Sequence, residues 1–291
     1  MKREKTMTIM TAMRAAALTA AALAIPALAL ASDGTFDKTL SVNGAVQLEV
    51  STGSGYVHVN PGSDNQVHII GHVRANHGWT GGSSDQVKQV VDNPPIQQSG
   101  NTIRVGQMHE SRFNHVSIDY DITAPKGTHL KAESGSGDLR ATSMGGGTRL
   151  ETGSGSVNGD DLGGDAYLQT GSGDIRVNFS NGGSVTAGAG SGSIRLTGVK
   201  GGLKAETGSG DISIAGQPLD SWKIEAGSGS VDLNLGGSKF TLDAETGSGS
   251  IHVDQSMSVQ TSSERHHITG NVNGGGPTVK VETGSGSVRI H

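Results

Sequence analysis

The sequence predicts an all-β protein: a single-chain β-solenoid with a less regular N-terminal β-rich capping region. Three observations predict it. A Gly-Ser-Gly motif recurs at a near-constant interval, apolar residues alternate on both sides of it, and glycine supplies 47 of 291 residues while aromatics supply only 3%. Glycine at that level without order would read as linker or disordered chain. The regular interval overturns that reading, because a fixed period is the mark of stacked repeats.

Taken from the N-terminus, Lys2, Arg3, Lys5 and Arg14 precede an apolar run from Ala15 to Ala31 that ends in Ala29-Leu30-Ala31. This is the layout of a secretory signal peptide over residues 1–31, with cleavage expected before Ser32. A membrane anchor fits less well, since Pro26 interrupts a short run and Ser32-Asp33-Gly34 gives no stop-transfer flank. The chain has no cysteine, hence neither disulfides nor a thiol for lipid attachment. An exported protein is expected, periplasmic or extracellular, with no transmembrane anchor after leader removal. That removal takes away four basic residues and one acid, Glu4, and moves the net charge from −5 to −8. No basic footprint for nucleic acid remains.

Residues 32–130 read as the capping region. Leu48 and Val50 alternate into Thr52-Gly53-Ser54-Gly55, and Val57 and Val59 follow, which makes one copy of the repeat. An insertion over 60–130 separates it from the rest. Within it, Val67-His68-Ile69-Ile70 and Thr102-Ile103-Arg104-Val105 predict strands, and Ser99-Gly100-Asn101 predicts a turn. Ser84 is placed to cap a short helix carrying Val87, Val90 and Val91, stopped by Pro94-Pro95. Capping is the simplest role, because an open coil end exposes unpaired ladder groups.

Residues 131–291 read as the regular array. Gly-Ser-Gly begins at Gly135, Gly153, Gly171, Gly190, Gly208, Gly227 and Gly247, in steps of 18, 18, 19, 18, 19 and 20 residues, and again 37 residues later at Gly284. The long step is close to two periods and predicts a degenerate copy at Gln260-Thr261-Ser262-Ser263-Glu264. Before the motif, Leu203, Trp222, Leu242 and Val279 fall in one apolar column, Leu150, Leu168, Ile224 and Val281 in the next, and Thr152, Thr170, Thr207, Thr246 and Thr283 in a third. After it come Leu139, Val157, Ile175, Ile194, Ile212, Val231, Ile251 and Val288, and two residues on Val177, Leu196, Ile214, Leu233, Val253 and Ile290. Period two on both sides of a corner means two half-buried strands per repeat. The motif glycines are expected to supply positive φ or a bulge at the corner. Each coil is expected to stack on the one before it, nine or ten coils spanning roughly 45 Å at ~4.8 Å each.

The outward positions carry Lys131, Arg149, Lys204, Lys223 and Lys280 in one column and, two residues on, Glu133, Glu151, Glu206, Glu225, Glu245 and Glu282 in another. Opposite charges in adjacent columns offset the repulsion within each, so a charge-balanced solvated face is favoured over a cation-binding comb. Gln169 and Gly188 interrupt the acidic column.

The stretch Ile118-Asp119-Tyr120-Asp121-Ile122-Thr123-Ala124-Pro125-Lys126-Gly127-Thr128, followed by Glu133-Ser134-Gly135-Ser136-Gly137-Asp138-Leu139, resembles the bacterial "putative adhesin" family, a domain of unknown function in envelope proteins. Gly202-Leu203-Lys204-Ala205-Glu206-Thr207-Gly208-Ser209-Gly210-Asp211-Ile212 is the copy most similar to that family's repeat. The resemblance covers most of the chain after the leader. It implies a β-solenoid and an exported protein, and brings no catalytic residues.

The chemistry-bearing patterns each have a plainer explanation. No Gly-Ser-Gly copy is followed by Lys-Ser or Lys-Thr, and each precedes a strand, so a phosphate loop is excluded. Asp138, Asp174 and Asp211 follow the motif, but not at the nine-residue step of calcium-binding repeats, and turn formation accounts for them. Asn158-Gly159-Asp160-Asp161-Leu162-Gly163-Gly164-Asp165 gathers three acids without helix-loop-helix spacing and reads as a turn. Of eleven histidines only His266-His267 are adjacent, and solvated loop positions explain them. Gly153-Ser154-Gly155-Ser156 is no nucleophile elbow, lacking a following helix. Catalytic, cofactor and metal residues are therefore all expected to be none. The expected function is a non-enzymatic adhesion, scaffold or interaction module at the bacterial cell envelope, its partner an envelope protein or polysaccharide. The alternatives are a polysaccharide-acting enzyme, disfavoured by the scarcity of aromatics and an inward Trp222, and a filament self-assembled through coil ends.

Overall fold

In a computed structural model of the chain, residues 33–75, 84–106, 115–254, 257–258 and 266–291 are described. The leader over 1–31 and the degenerate copy at Gln260–Glu264 lie outside the described residues. The N-terminal part comprises β1 (Asp33–Ser41), β2 (Gln47–Thr52), β3 (Val57–Pro61), β4 (Gln66–Ala75), α1 (Ser84–Asp92), β5 (Ile96–Ser99), β6 (Thr102–Val105) and β7 (Val116–Ala124). Then come β8 (His129–Ser134), β9 (Leu139–Thr142), β10 (Thr148–Thr152), β11 (Val157–Leu162), β12 (Ala166–Thr170), β13 (Ile175–Phe179), β14 (Val185–Ala189) and β15 (Ile194–Val199). The chain continues through β16 (Leu203–Thr207), β17 (Ile212–Gly216), β18 (Trp222–Ala226), β19 (Val231–Asn234), β20 (Phe240–Thr246) and β21 (Ile251–Val253). It finishes with β22 (Met257–Ser258), β23 (His267–Val272), β24 (Thr278–Thr283) and β25 (Val288–Ile290).

These strands form a two-sheet β-solenoid. Sheet A runs β1-β4-β7-β3-β9-β11-β13-β15-β17-β19-β25-β21, and sheet B runs β22-β23-β20-β24-β18-β16-β14-β12-β10-β8-β2-β6-β5. Each coil places one strand in sheet B, turns at Gly-Ser-Gly, and places the next in sheet A. Neighbouring coils pair parallel and in register, as in Leu203↔Trp222, Ala205↔Ile224 and Thr207↔Ala226. The predicted inward columns are buried, with Leu150, Leu168, Ile224, Val281, Ile212 and Leu233 at most 1% exposed. Trp222 points inward and its Nε1 donates to the Gly201 carbonyl at 2.8 Å. Ile251 and Val253, in the edge strand β21, are half-buried, since they have a neighbouring coil on one side alone.

The motif glycines do not serve the purpose expected of them. None of the described positive-φ glycines belongs to Gly-Ser-Gly; they sit elsewhere, including Gly147 and Gly164 at the second corner of the coil. At the Gly-Ser-Gly corner a Cβ on Gly173 would fall well inside 3.0 Å of the Gly155 carbonyl oxygen, and the same overlap recurs at Gly137, Gly155, Gly192, Gly210 and Gly229 against the coil before each. The requirement is therefore close approach of stacked backbones. A buried hydroxyl ladder completes the corner. Thr170 Oγ1 donates to Gly155 O at 2.8 Å while accepting from Gly173 N at 3.1 Å, and Thr152, Thr207 and Thr283 repeat the arrangement.

Stacking in strict chain order also fails, at both ends. The last coil, β24 and β25, lies between the β18/β19 coil and the β20/β21 coil, so that Gly284 stacks on Gly227 and Gly247 on Gly284. No further coil stands between Gly247 and Gly284 in the stack. At the other end the first coil, β2 and β3, is flanked by β8/β9 on one side and β6/β7 on the other. Antiparallel strands then finish the sheets: β4 and β1 beyond β7, β5 beyond β6, and β23 beyond β20. Helix α1 buries Val87 and Val90 against β1 and β4, with Val87 and Val91 crowding Gly34. Phe36 meets Tyr120 edge-on at 6.3 Å over the backbone of Gly71.

The segment Asn158–Asp165, expected to be a turn, is strand as far as Leu162, with a register shift between Gly159 and Leu162 and Asp161 at φ 55°. Its acids diverge: Asp161 accepts from Ser143 Oγ at 2.7 Å and Asp165 from Ser184 N at 2.9 Å.

Two outcomes follow from the corner and the intercalated coil. Gly173→Ala forces a methyl against a backbone oxygen and should lower stability by about 1–3 kcal/mol in chemical denaturation. Gly53→Ala, whose Cβ would meet nothing within 4 Å, should stay within about 0.5 kcal/mol of the parent. In a chain free of cysteine, the double variant Lys223→Cys/Lys280→Cys joins register partners and should form an intrachain disulfide on oxidation. Lys223→Cys/Asp243→Cys, two strand spacings or about 10 Å apart, should not. Non-reducing electrophoresis and mass spectrometry distinguish the two.

Candidate interaction surface

The outward face of sheet B carries the charged columns, because alternation turns every second residue of its strands to solvent. Each basic residue pairs with the acid two positions on in its own strand: Lys131 with Glu133 at 2.8 Å, Lys204 with Glu206 at 2.7 Å, Lys223 with Glu225 at 2.8 Å, Lys280 with Glu282 at 2.6 Å, and Arg149 with Glu151. The hydrogen bond to its carboxylate raises the Lys131, Lys204 and Lys280 ammonium groups, and the Lys204 bond holds Glu206 below the usual carboxylate range.

The intercalated coil reorders the acidic column to Glu206, Glu225, Glu282, Glu245. Glu245 differs from the rest: its strand places Asp243 where the others place Lys, and the Asp243 carboxylate accepts from His267 Nε2 at 2.8 Å. A shallow furrow of about 710 Å³ runs beside this column along the glycine corners from Gly190 to Gly247. A second furrow of about 520 Å³ runs along the opposite margin of the same face, past His129, Lys131, Arg149 and Tyr167.

The corner aspartates also have a defined place. Asp138, Asp174 and Asp211 each accept the backbone N–H of the serine at the equivalent position of the next coil, Ser156, Ser193 and Ser230, at 2.7, 2.8 and 2.8 Å. Aspartate and serine thus alternate from coil to coil, so like charges sit two spacings apart instead of one. Each caps an amide of a neighbouring coil, a contact that turn formation alone does not describe. The Asp-Ser alternation from Asp138 to Ser230, at the position after Gly-Ser-Gly, was the signal available in the sequence.

On the outward face of sheet A, near its N-terminal end, three histidines expected in loops stand on strands. His58 on β3 and His72 on β4 approach Asp121 on β7 from either side, each at 3.4 Å, and the Tyr56 hydroxyl donates to the same carboxylate at 2.9 Å. His68 meets Asp37 at 2.7 Å. The Tyr56 and His58 rings stack at 4.2 Å, and burial followed by the Asp121 hydrogen bond pushes the Tyr56 hydroxyl up to about 12. Beside them on the same face of β7 the buried Asp119 accepts from Tyr56 N at 3.0 Å and from Arg74 at 2.5 Å. Sequence spacing gave no hint of this cluster, because β3, β7 and β4 become neighbours only through the intercalated first coil. Among the described residues no group of three His, Asp or Glu is arranged to hold a metal ion, and no helix is long and apolar enough to cross a membrane.

Acid should probe the corner caps. The Ser193 N–H holds the Asp174 carboxyl below its ordinary 3.8, so the ionised form favours the folded state. That stabilisation is complete above the ordinary value and is lost as pH falls through the lower native one. Asp174→Ala should therefore be less stable than the parent near neutral pH, with the difference shrinking below about pH 4; thermal unfolding across pH measures it.

Residues 47–291 match the family model Toastrack DUF4097. No curated protein matches the chain. Among solved structures it is similar to a "putative adhesin" from Bacteroides fragilis NCTC 9343, at 14% identity over 89% of this chain and 97% of that one, TM-score 0.42. It is similar also to a "putative lipid binding protein" from Parabacteroides distasonis ATCC 8503, at 14% identity over 88% and 96%, TM-score 0.38. A third is a "putative cell adhesion protein" from Clostridium sporogenes ATCC 15579, at 12% identity over 89% and 98%, TM-score 0.24.

Proposed function

The chain belongs to the Toastrack DUF4097 family, and on that footing we propose that it is an exported, non-enzymatic interaction module of the bacterial cell envelope, with the outward face of sheet B as its working surface. The observation that carries this reading is the ladder of Lys/Arg–Glu rungs held in register from coil to coil. A repeating surface of this kind meets a repeating partner, an envelope protein or a polysaccharide, at several rungs at once, and affinity then grows with the number engaged. The leader over residues 1–31 supports export, and the N-terminal strands with α1 serve as the cap.

Two features weigh against the alternatives. The carboxylates of this face are largely held in ion pairs, which suits recognition better than proton transfer. The outermost strand of sheet A at the N-terminal end, β1, carries Asp33, Asp37 and Lys38, charges that discourage end-to-end pairing into a filament.

Reversing Lys131, Lys204 and Lys223 to Glu should abolish capture of partners from envelope extracts, and raised salt should weaken capture by the parent chain. An unchanged partner set for the triple variant would refute the charged-column reading.

A further inference from the structure

Both charged columns are interrupted at the same two coils. Register runs without a shift from Arg149 through Tyr167 and Thr186 to Lys204, and from Glu151 through Gln169 and Gly188 to Glu206. The face is therefore uncharged over β12 and β14, a window two rungs high. Its upper and lower borders, Arg149 with Glu151 and Lys204 with Glu206, are closed ion pairs.

Three features of this window go beyond a mere gap. Tyr167 and Tyr56 are the only Phe, Trp or Tyr residues among the described ones that are not buried, and Tyr167 alone stands on sheet B. The Arg149 guanidinium lies over one face of the ring, 4.0 Å from its centroid, so that a ligand would meet the ring at its other face, on the Thr186 side. Gly188 has no side chain, and the Gln169 amide lies across it, so that a Cβ there would meet Gln169 Oε1 at 2.5 Å. The Gln169 amide thus fills the space over Gly188, so that this rung presents a flat primary amide beside the Tyr167 ring. Finally, the Tyr167 hydroxyl, Gln169 amide and Thr186 hydroxyl make no hydrogen bond with other described residues, whereas the charges of the bordering rungs are matched. Free hydrogen-bonding capacity on this part of the face is thus concentrated in the window. Tyr167 and Thr186 also wall one furrow and Gln169 and Gly188 the other, which makes the window a saddle between them.

A sugar ring suits these groups. A pyranose offers a C–H face that packs on an aromatic ring and hydroxyls that both donate to and accept from amides and hydroxyls. Covering neutral polar groups costs far less than stripping water from the ion pairs on either side. A charged polymer would find its complementary charges already taken.

We propose that the window formed by Tyr167, Gln169, Thr186 and Gly188 binds an uncharged stretch of a linear polysaccharide, with one sugar ring against Tyr167 and its hydroxyls bonded to Gln169 and Thr186. This rests on sheet B being the interaction face, but it uses the neutral break and not the charged columns.

The test is titration calorimetry of the full chain with cellohexaose and chitohexaose, and with an oligogalacturonate of similar length as the anionic probe, at low and high salt. At least one neutral hexamer should bind, with the anionic one weaker and high salt without effect. Tyr167→Ala should weaken binding about tenfold or more, and Tyr167→Phe should remain within about threefold of the parent. Gln169→Glu, which extends the acidic column into the window, should lose binding as well. Unfolding midpoints matching the parent would show that the variants are folded. Failure of both neutral hexamers to bind, equal binding by Tyr167→Ala, or release by high salt would each overturn the proposal. Release by salt would leave the charged-column reading standing, whereas neutral binding that survives in the Lys131, Lys204 and Lys223 reversal variant would uphold the window when the columns fail.

Discussion

At each Thr-Gly-Ser-Gly corner the carbonyl oxygen of one coil occupies the space where a Cβ of the next would lie, and a buried hydroxyl bridges the two backbones. That contact sets how closely coils stack and in what register. Any side chain at the second glycine would lift one coil off the last, stretching the ladder bonds of both sheets at once. The hydroxyl adds direction: it accepts from its own coil and donates to the one before it, so buried backbone groups at the turn are satisfied along the stack. Ala189 and Ala226 omit the hydroxyl in two coils without disturbing the register, which places the geometric requirement on glycine and the bonding on threonine.

A stack built from repeated neighbour contacts is weakest at its terminal coils, since each of those has one neighbour instead of two. Here the first and last coils of the chain are not terminal in the stack. Each is held between two others, and the outermost positions go to β6/β7 and β20/β21; antiparallel strands extend the edges of β6, β7 and β20, while β21 is left as the edge of sheet A. The His58, His72 and Asp121 cluster lies across one of these junctions, tying β3, β7 and β4 together through side chains.

The outward face inherits its order from the corners. Exact stacking places Lys over Lys and Glu over Glu, an arrangement tolerable only because each cation reaches the acid of its own strand. The corner aspartates avoid the same difficulty differently, alternating with serine so that each caps an amide of the coil that follows. The charged columns of this face break at Tyr167, Gln169, Thr186 and Gly188, where no ion pair stands on the rung.

The period, the two strands per coil, the inward columns through Ile212 and Ile224 and the Lys and Glu columns were all legible in the sequence, because each rests on spacing along a strand or between identical corners. The short helix over Ser84–Asp92 was legible through the spacing of Val87, Val90 and Val91 and its stopping prolines. The intercalation of the end coils was not, since β24 sets against β18 the same equivalent positions that β20 sets against β24, and no local pattern separates the two orders. For the same reason the sequence could not show that His58 and His72 share Asp121, or that the acidic column runs through Glu282 before Glu245. Sequence alone determined the coil, because a corner and two alternating strands are local matters. Tertiary structure decided which coil lies on which, because coils built from one repeat present nearly identical surfaces and only the whole stack, with its caps, distinguishes among them.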